Sequence, residues 1–112
     1  MRVLFKRAGK KVEEREIGGE LCGMQKAVGG YIETLAIPGT GLVLVFDEEG
    51  RIKGKERNIV IPRVMLNSFM PVGIVGDLFV CAADGDELRG LNDTEMHVAK
   101  SILEVCGIGK EV

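Results

Sequence analysis

The sequence has no tryptophan, one tyrosine and one histidine, and aromatic residues make up only 4% of its 112 residues. A platform that stacks single-stranded nucleic acid needs several exposed rings, so that class has weak support. Charge of neither sign dominates, with 15 basic residues against 17 acidic ones and a net charge of -2. Duplex binders carry a clear basic excess, and nucleic acid is not an expected partner here. No apolar run reaches the roughly 18 residues of a membrane span, and no charged start leads into a long apolar segment. A membrane is therefore not expected either, and the chain reads as cytoplasmic. Cys22, Cys81 and Cys106 are widely spaced and form no C-x-x-C pair. An odd count leaves one thiol unpartnered. All three sit in apolar stretches and are expected as buried, reduced thiols. Three prolines are too few for a disordered Pro-rich segment, and no repeat or linker divides the chain. One domain over 1–112 is expected.

Glycine is what the sequence has in excess. Sixteen glycines are about twice the usual share of roughly 7%. They stand between apolar runs and read as turns, caps and close backbone approaches. Residues 2–7 read as a strand, with 11–17 as a weaker extended partner. From Glu20 the period changes. Leu21, Met24 and Val28 fall on one face of a helix over about 20–29, which Gly29-Gly30 stops. We expect Gly30 to take a positive φ there. Gly23 inside this helix costs about 1 kcal/mol against alanine and suggests close packing on a neighbour or a helix shorter than 20–29. Residues 31–37 and 42–46 form a hairpin around Pro38-Gly39-Thr40-Gly41. Arg51-Ile52-Lys53 begins a return strand. Residues 54–71 are ambiguous, and 72–82 read as a strand bent at Gly76-Asp77. Asn92-Asp93-Thr94-Glu95 is a capping box. It opens a helix over 93–106 with Met96, Ala99, Leu103 and Cys106 in its stripe. Residues 110–112 are expected to fray. The sum is an α+β fold: a mixed or antiparallel sheet of four to six strands, with two helices packed on one face.

Catalytic chemistry is thinly represented. His97 lies off the apolar stripe of its helix, without a nucleophile or orienting carboxylate in its pattern, and reads as a surface histidine. Asp84-Gly85-Asp86-Glu87 resembles the start of a calcium loop. Leu88 and Arg89, however, occupy positions that need a ligand and a turn-forming glycine, so it reads as a solvated acidic turn. Asp47, Glu48 and Glu49 sit at a hairpin tip, a poor place to desolvate paired carboxylates. Neither a phosphate loop nor a complete dinucleotide fingerprint is present. No metal or cofactor is expected, and the chain does not read as an enzyme.

One stretch is more specific. Leu21-x-x-Met24-Gln25-x-x-Val28-Gly29-Gly30-Tyr31-Ile32-Glu33 resembles the signature of the domain-of-unknown-function 3846 family, a small bacterial and phage family. An acidic turn at Asp47-Glu48-Glu49-Gly50, a later Asn58, Ile74-Val75-Gly76-Asp77 and Gly90-Leu91-Asn92-Asp93-Thr94-Glu95 continue the resemblance through about residue 95. The family often has asparagine where Asp47 stands, and a shorter segment where 59–71 lie. The resemblance implies a small domain carried by phages, plasmids and their bacterial hosts, without established enzyme chemistry. It also implies an association with genes that counter host defence.

Two functional expectations follow. The first is a non-enzymatic small-ligand binder, a phage or mobile-element counter-defence protein that sequesters a nucleotide signal in the host cytoplasm. Gln25, Tyr31, Arg57, Asn58 and Arg63 are its candidate ligand-binding residues, with Tyr31 as the one stacking ring. The alternative is a protein–protein inhibitor or accessory subunit acting on a host factor. It rests on the apolar, Met-bearing segment 59–71, which exceeds what turns need; within it, the apolar residues from Val60 to Met70 do not all fit one face. The same segment motivates a homodimer, with a composite cleft near Arg57, Asn58 and Arg63.

Overall fold

Leu42 to Val45 are four consecutive apolar residues, and such a run cannot leave one strand face in water. A computed structural model of the chain buries all four. The structure describes residues 1–107; the expectation about 110–112 lies outside them. Its elements are β1 (Arg2–Lys6), β2 (Val12–Glu16), α1 (Leu21–Val28), β3 (Ile32–Ile37) and β4 (Leu42–Asp47). There follow β5 (Arg57–Ile61), α2 (Arg63–Leu66), β6 (Val72–Val75), β7 (Leu78–Asp84), β8 (Glu87–Arg89) and α3 (Asp93–Cys106). The main sheet has six strands in the order β2-β1-β7-β4-β3, with β8 paired to β7. Every pairing in it is antiparallel. β5 and β6 form a separate two-stranded antiparallel sheet. The α+β class and the antiparallel sheet are those read from the sequence.

The helices do not share a face, which corrects the expected packing. Strand residues alternate between faces. Leu4, Leu42, Leu44, Leu78, Val80 and Ala82 join Met96, Ala99, Leu103 and Cys106 of α3 in one core. Val3, Phe5, Val43, Val45, Phe79 and Cys81 join Met24 and Val28 of α1 in the other. The three inner strands are apolar on both sides, so the sheet needs a cover on each. α1 supplies one; α3 and the small sheet, through Ile59, Ile61 and Ile74, supply the other.

Other local expectations divide in the same physical way. Asn92 Oδ1 accepts from the Glu95 amide at 2.8 Å, and Glu95 Oε1 accepts from the Asn92 amide at 3.0 Å, completing the capping box. The run 72–82 is two strands in two sheets, bent at Gly76, whose φ is 78°. Arg51, Ile52 and Lys53 are turn residues, not a return strand: their backbone bonds are local, such as Lys53 N–H to Glu49 O. Cys81 and Cys106 are buried but Cys22 is exposed, because it falls on the outer side of a helix only two turns long. The left-handed residue after α1 is Gly29, with φ 81°, and not Gly30.

Gly23 does pack closely. A Cβ there would lie 2.6 Å from the carbonyl oxygen of Gly18 and 2.7 Å from its Cα. Gly→Ala within a helix ordinarily gains about 1 kcal/mol. Gly23→Ala is expected to reverse that sign and lose about 1 kcal/mol or more, as overpacking against backbone does. A thermal melt checks it: a raised midpoint would show that the 18–23 contact yields freely.

Candidate functional site

Register brings several loops to one end of the main sheet. Lys6 is opposite Leu78, Leu78 opposite Phe46, and Asp47 opposite Ile32. The end of β1, the start of β7, the end of β4 and the start of β3 therefore lie side by side. The β1–β2 turn, the bend at 76–77, the turn after Asp47 and the Gly30-Tyr31 junction all meet there.

The first fixture at this end is buried. Lys6 and Asn58 are both buried, with Asn58 fully so. Lys6 Nζ donates to Asn58 Oδ1 at 2.6 Å. Asn58 Nδ2 donates to Lys6 O at 2.9 Å and to Gly76 O at 2.8 Å. The β5–β6 register shifts between Arg57 and Ile59, so Asn58 is the extra residue of a bulge and turns inward. It ties the small sheet to β1 and to the bend before β7. Burial pulls the Lys6 ammonium below its ordinary value.

The second fixture is Asp47, whose side chain is fully buried. The sequence reading left it as a solvated turn residue, and the structure corrects that. It continues the alternation of Val43 and Val45 on the α1 face, beneath the end of that helix. Asp47 Oδ2 accepts from Lys53 Nζ at 2.8 Å and lies 2.7 Å from Lys55 Nζ; its Oδ1 accepts from the Glu49 amide at 2.9 Å. Burial would push this carboxyl up. The hydrogen bonds from Lys53 and Lys55, with the Glu49 amide, outweigh it and hold the group well below the usual carboxylate range. Both ammonium groups also cap α1, Lys53 on Gly29 O at 3.1 Å and Lys55 on Val28 O at 3.0 Å. Cations at a helix C-terminus also suit its dipole. A Cβ on Gly30 would come within 2.6 Å of both Asp47 Oδ1 and Lys53 Nζ. Room for this ion cluster, not a positive φ, is what Gly30 provides.

The third fixture is a cleft of about 290 Å³. Arg7, Ala8 and Lys10 line it from the β1–β2 turn, Lys55 and Glu56 from the approach to β5, and Gly76 and Asp77 from the bend. Asp77 Oδ1 accepts from the Ala8 amide at 3.3 Å, which fixes the two sides together. The stem of Lys55 lies over Gly76, where a Cβ would come within 2.7 Å of Lys55 Cδ. Its ammonium is drawn away to Asp47 and Val28. Among the described residues the side chains of Arg7, Lys10 and Glu56 have no hydrogen bond or ion pair. The cleft thus presents two unpaired cations and one unpaired carboxylate.

The five residues expected to bind ligand are not gathered. Asn58 is enclosed in the Lys6 fixture. Gln25 is half-buried in α1, and its carbonyl accepts from the Gly29 and Gly30 amides. Tyr31 is 64% exposed. It stands at the β3 edge, three strands from β1, about 14 Å away at the usual strand spacing. Arg57 is exposed next to the cleft residue Glu56, whereas Arg63 opens α2 beyond the far end of β5. Arg57 and Ile61 are about 13 Å apart along the strand. Arg7, Lys10, Lys55 and Asp77 were missed because the segments that line the cleft are far apart in sequence. Asp47 did carry a signal, since period-2 counting from Val43 and Val45 points it inward.

Neither buried thiol is set up for reaction, and no metal cage accompanies these groups among the described residues. Burial pushes the Cys81 thiol up to about 12 and raises Cys106, which disfavours thiolate chemistry. Among the described residues no three or more His, Cys, Asp or Glu side chains are placed to hold a metal ion. His97 is exposed. No helix among them is long and apolar enough to cross a membrane. Compared with known proteins, the chain matches the family described as Domain of unknown function (DUF3846) over residues 1–104. No curated protein and no solved structure matches it.

Proposed function

We propose that this chain, which belongs to the DUF3846 family, binds a small phosphate-bearing ligand of nucleotide type without turning it over. The observation that carries this reading is the pair of unpaired cations, Arg7 and Lys10, at the rim of the cleft. Its volume of about 290 Å³ is near the lower end of the roughly 300–1,000 Å³ of ligand sites, which suits one nucleotide unit. Sequestration of a nucleotide signal, as a counter-defence protein of a phage or mobile element, is the biological role this binding would serve. A second reading has its own support. Val64, Phe69 and Met70 are 74%, 97% and 70% exposed, and apolar surface of that kind suits a second copy of the chain or a host protein.

One experiment separates these readings. The protein is incubated with a panel of nucleoside monophosphates and cyclic nucleotides. Native mass spectrometry then follows the protein, and chromatography follows the small molecules. The expected result is a nucleotide retained unchanged, at one per chain. A converted nucleotide would overturn the non-catalytic reading. No retained nucleotide, with the chain in pairs or higher assemblies, would leave the protein–protein reading in its place.

A further inference from the structure

The cleft is split by charge rather than uniformly basic. Arg7 and Lys10 flank Gly9, whose φ is 75°. A Cβ on Gly9 would lie 3.3 Å from Glu56 Oε2. The Glu56 carboxylate is therefore seated against the same turn that carries the two cations. Asp77, across the cleft, has one oxygen committed to the Ala8 amide, so Glu56 is the carboxylate left with both oxygens open.

A bare phosphate does not match this arrangement. Both phosphate and carboxylate accept hydrogen bonds and repel each other. Arg7 and Lys10 attract the anion, while Glu56 beside them requires a donor. The ligand must then carry hydroxyl or amine groups a short distance from its phosphate. A ribose 5-phosphate unit has that form, with vicinal hydroxyls one sugar ring from the phosphate. Carboxylates bind ribose hydroxyls in this way in dinucleotide sites. The lining carries no aromatic ring on which a base would stack.

We infer that the cleft recognises a ribose phosphate, with the phosphate on Arg7 and Lys10 and the sugar hydroxyls on Glu56. This deepens the nucleotide reading above and rests on it. The base is not read, because no lining residue offers it an aromatic face and the unpaired charged groups are taken by phosphate and sugar. Asp77 holds the turn in position through Ala8.

Calorimetric titration of the full chain tests the inference. The probes are adenosine and cytidine 5′-monophosphates, 2′,3′-dideoxyadenosine 5′-monophosphate and inorganic phosphate. The two ribonucleotides are expected to bind alike, and the dideoxy analogue about tenfold more weakly, as the loss of hydrogen bonds to a carboxylate implies. Glu56→Gln should lower the ribonucleotides toward the dideoxy level while leaving the dideoxy analogue no weaker. Arg7→Gln with Lys10→Gln should weaken every probe. If the dideoxy analogue binds wild type as tightly as the ribonucleotide, the sugar assignment falls while the nucleotide reading stands. If no probe binds wild type, both fall. Circular dichroism of each variant verifies that the fold is retained.

Discussion

Asn58→Ala is expected to lower stability by about 3 kcal/mol, because it leaves a buried charged donor and two carbonyls without their partner. Three hydrogen bonds end on this one side chain. Without it the Lys6 ammonium is buried with one long bond left, to Arg7 O at 3.5 Å. The carbonyls of Lys6 and Gly76 lose a donor as well. On a domain of this size the thermal midpoint should fall by more than about 10 °C. Asn58→Asp separates charge from hydrogen bonding. It gives Lys6 a better counter-ion but sets carboxylate oxygens against two carbonyls. We expect Asn58→Asp also to be clearly destabilised. Full stability in that variant would show that Lys6 alone requires residue 58, and that the two carbonyl contacts contribute nothing.

Asp47→Asn is expected to cost about 2 kcal/mol at neutral pH, the worth of hydrogen bonds to a charged group. The cost stays below that of Asn58 because both lysines retain carbonyl acceptors and reach solvent. The pH dependence is the sharper test. The folded Asp47 carboxyl is held well below its ordinary value of 3.8. Its stabilisation is therefore complete above about pH 5 and is lost as pH falls from there toward the folded value. Glu95 behaves the same way. Hydrogen bonds from Arg89, then from the Asn92 amide, lower it from 4.5 to about 2. Wild type should weaken in acid through Asp47 as well as Glu95 and Glu14, and Asp47→Asn through the latter two only. Urea unfolding across pH should show the gap between the two proteins narrowing in acid. A gap at about pH 2 equal to that at pH 7 would show that the buried charge adds no pH-dependent stability.

The local layer of this fold was legible in the sequence where short-range rules decide it. The capping box at Asn92, the hairpin around Pro38-Gly39, the bend at Gly76-Asp77 and the tight packing at Gly23 each depend on residues close together in the chain or on a glycine's lack of a side chain. The global layer was less so. Leu42 to Val45 signalled a strand apolar on both faces, but nothing in a single helix's pattern says which face it covers. The helices consequently went to one side on paper and to opposite sides in the molecule. The site suffers from the same limit. Asn58 reads as a free polar side chain until Lys6 and Gly76 are seen beside it. Arg7 and Lys10 read as ordinary turn charges until Glu56 and Asp77 close the space around them. Asp47 is the instructive case: strand alternation pointed it inward, and the loop-like acidic run around it obscured that.

The placement of β1 between β2 and β7 sets the order of assembly. β1 and β2 pair locally, so a hairpin can form as soon as both strands are made. Its other neighbour, β7, which sets Leu4 against Val80, is separated from β2 by six elements. Loop closure of that length slows folding. During synthesis at about 5–20 residues per second, the hairpin waits several seconds with Val3, Leu4 and Phe5 uncovered. The charged exposed residues of β2, Glu13, Glu14 and Glu16, stand along the outer edge in that interval. They act as gatekeepers against association at that edge, which stays uncovered in the finished sheet.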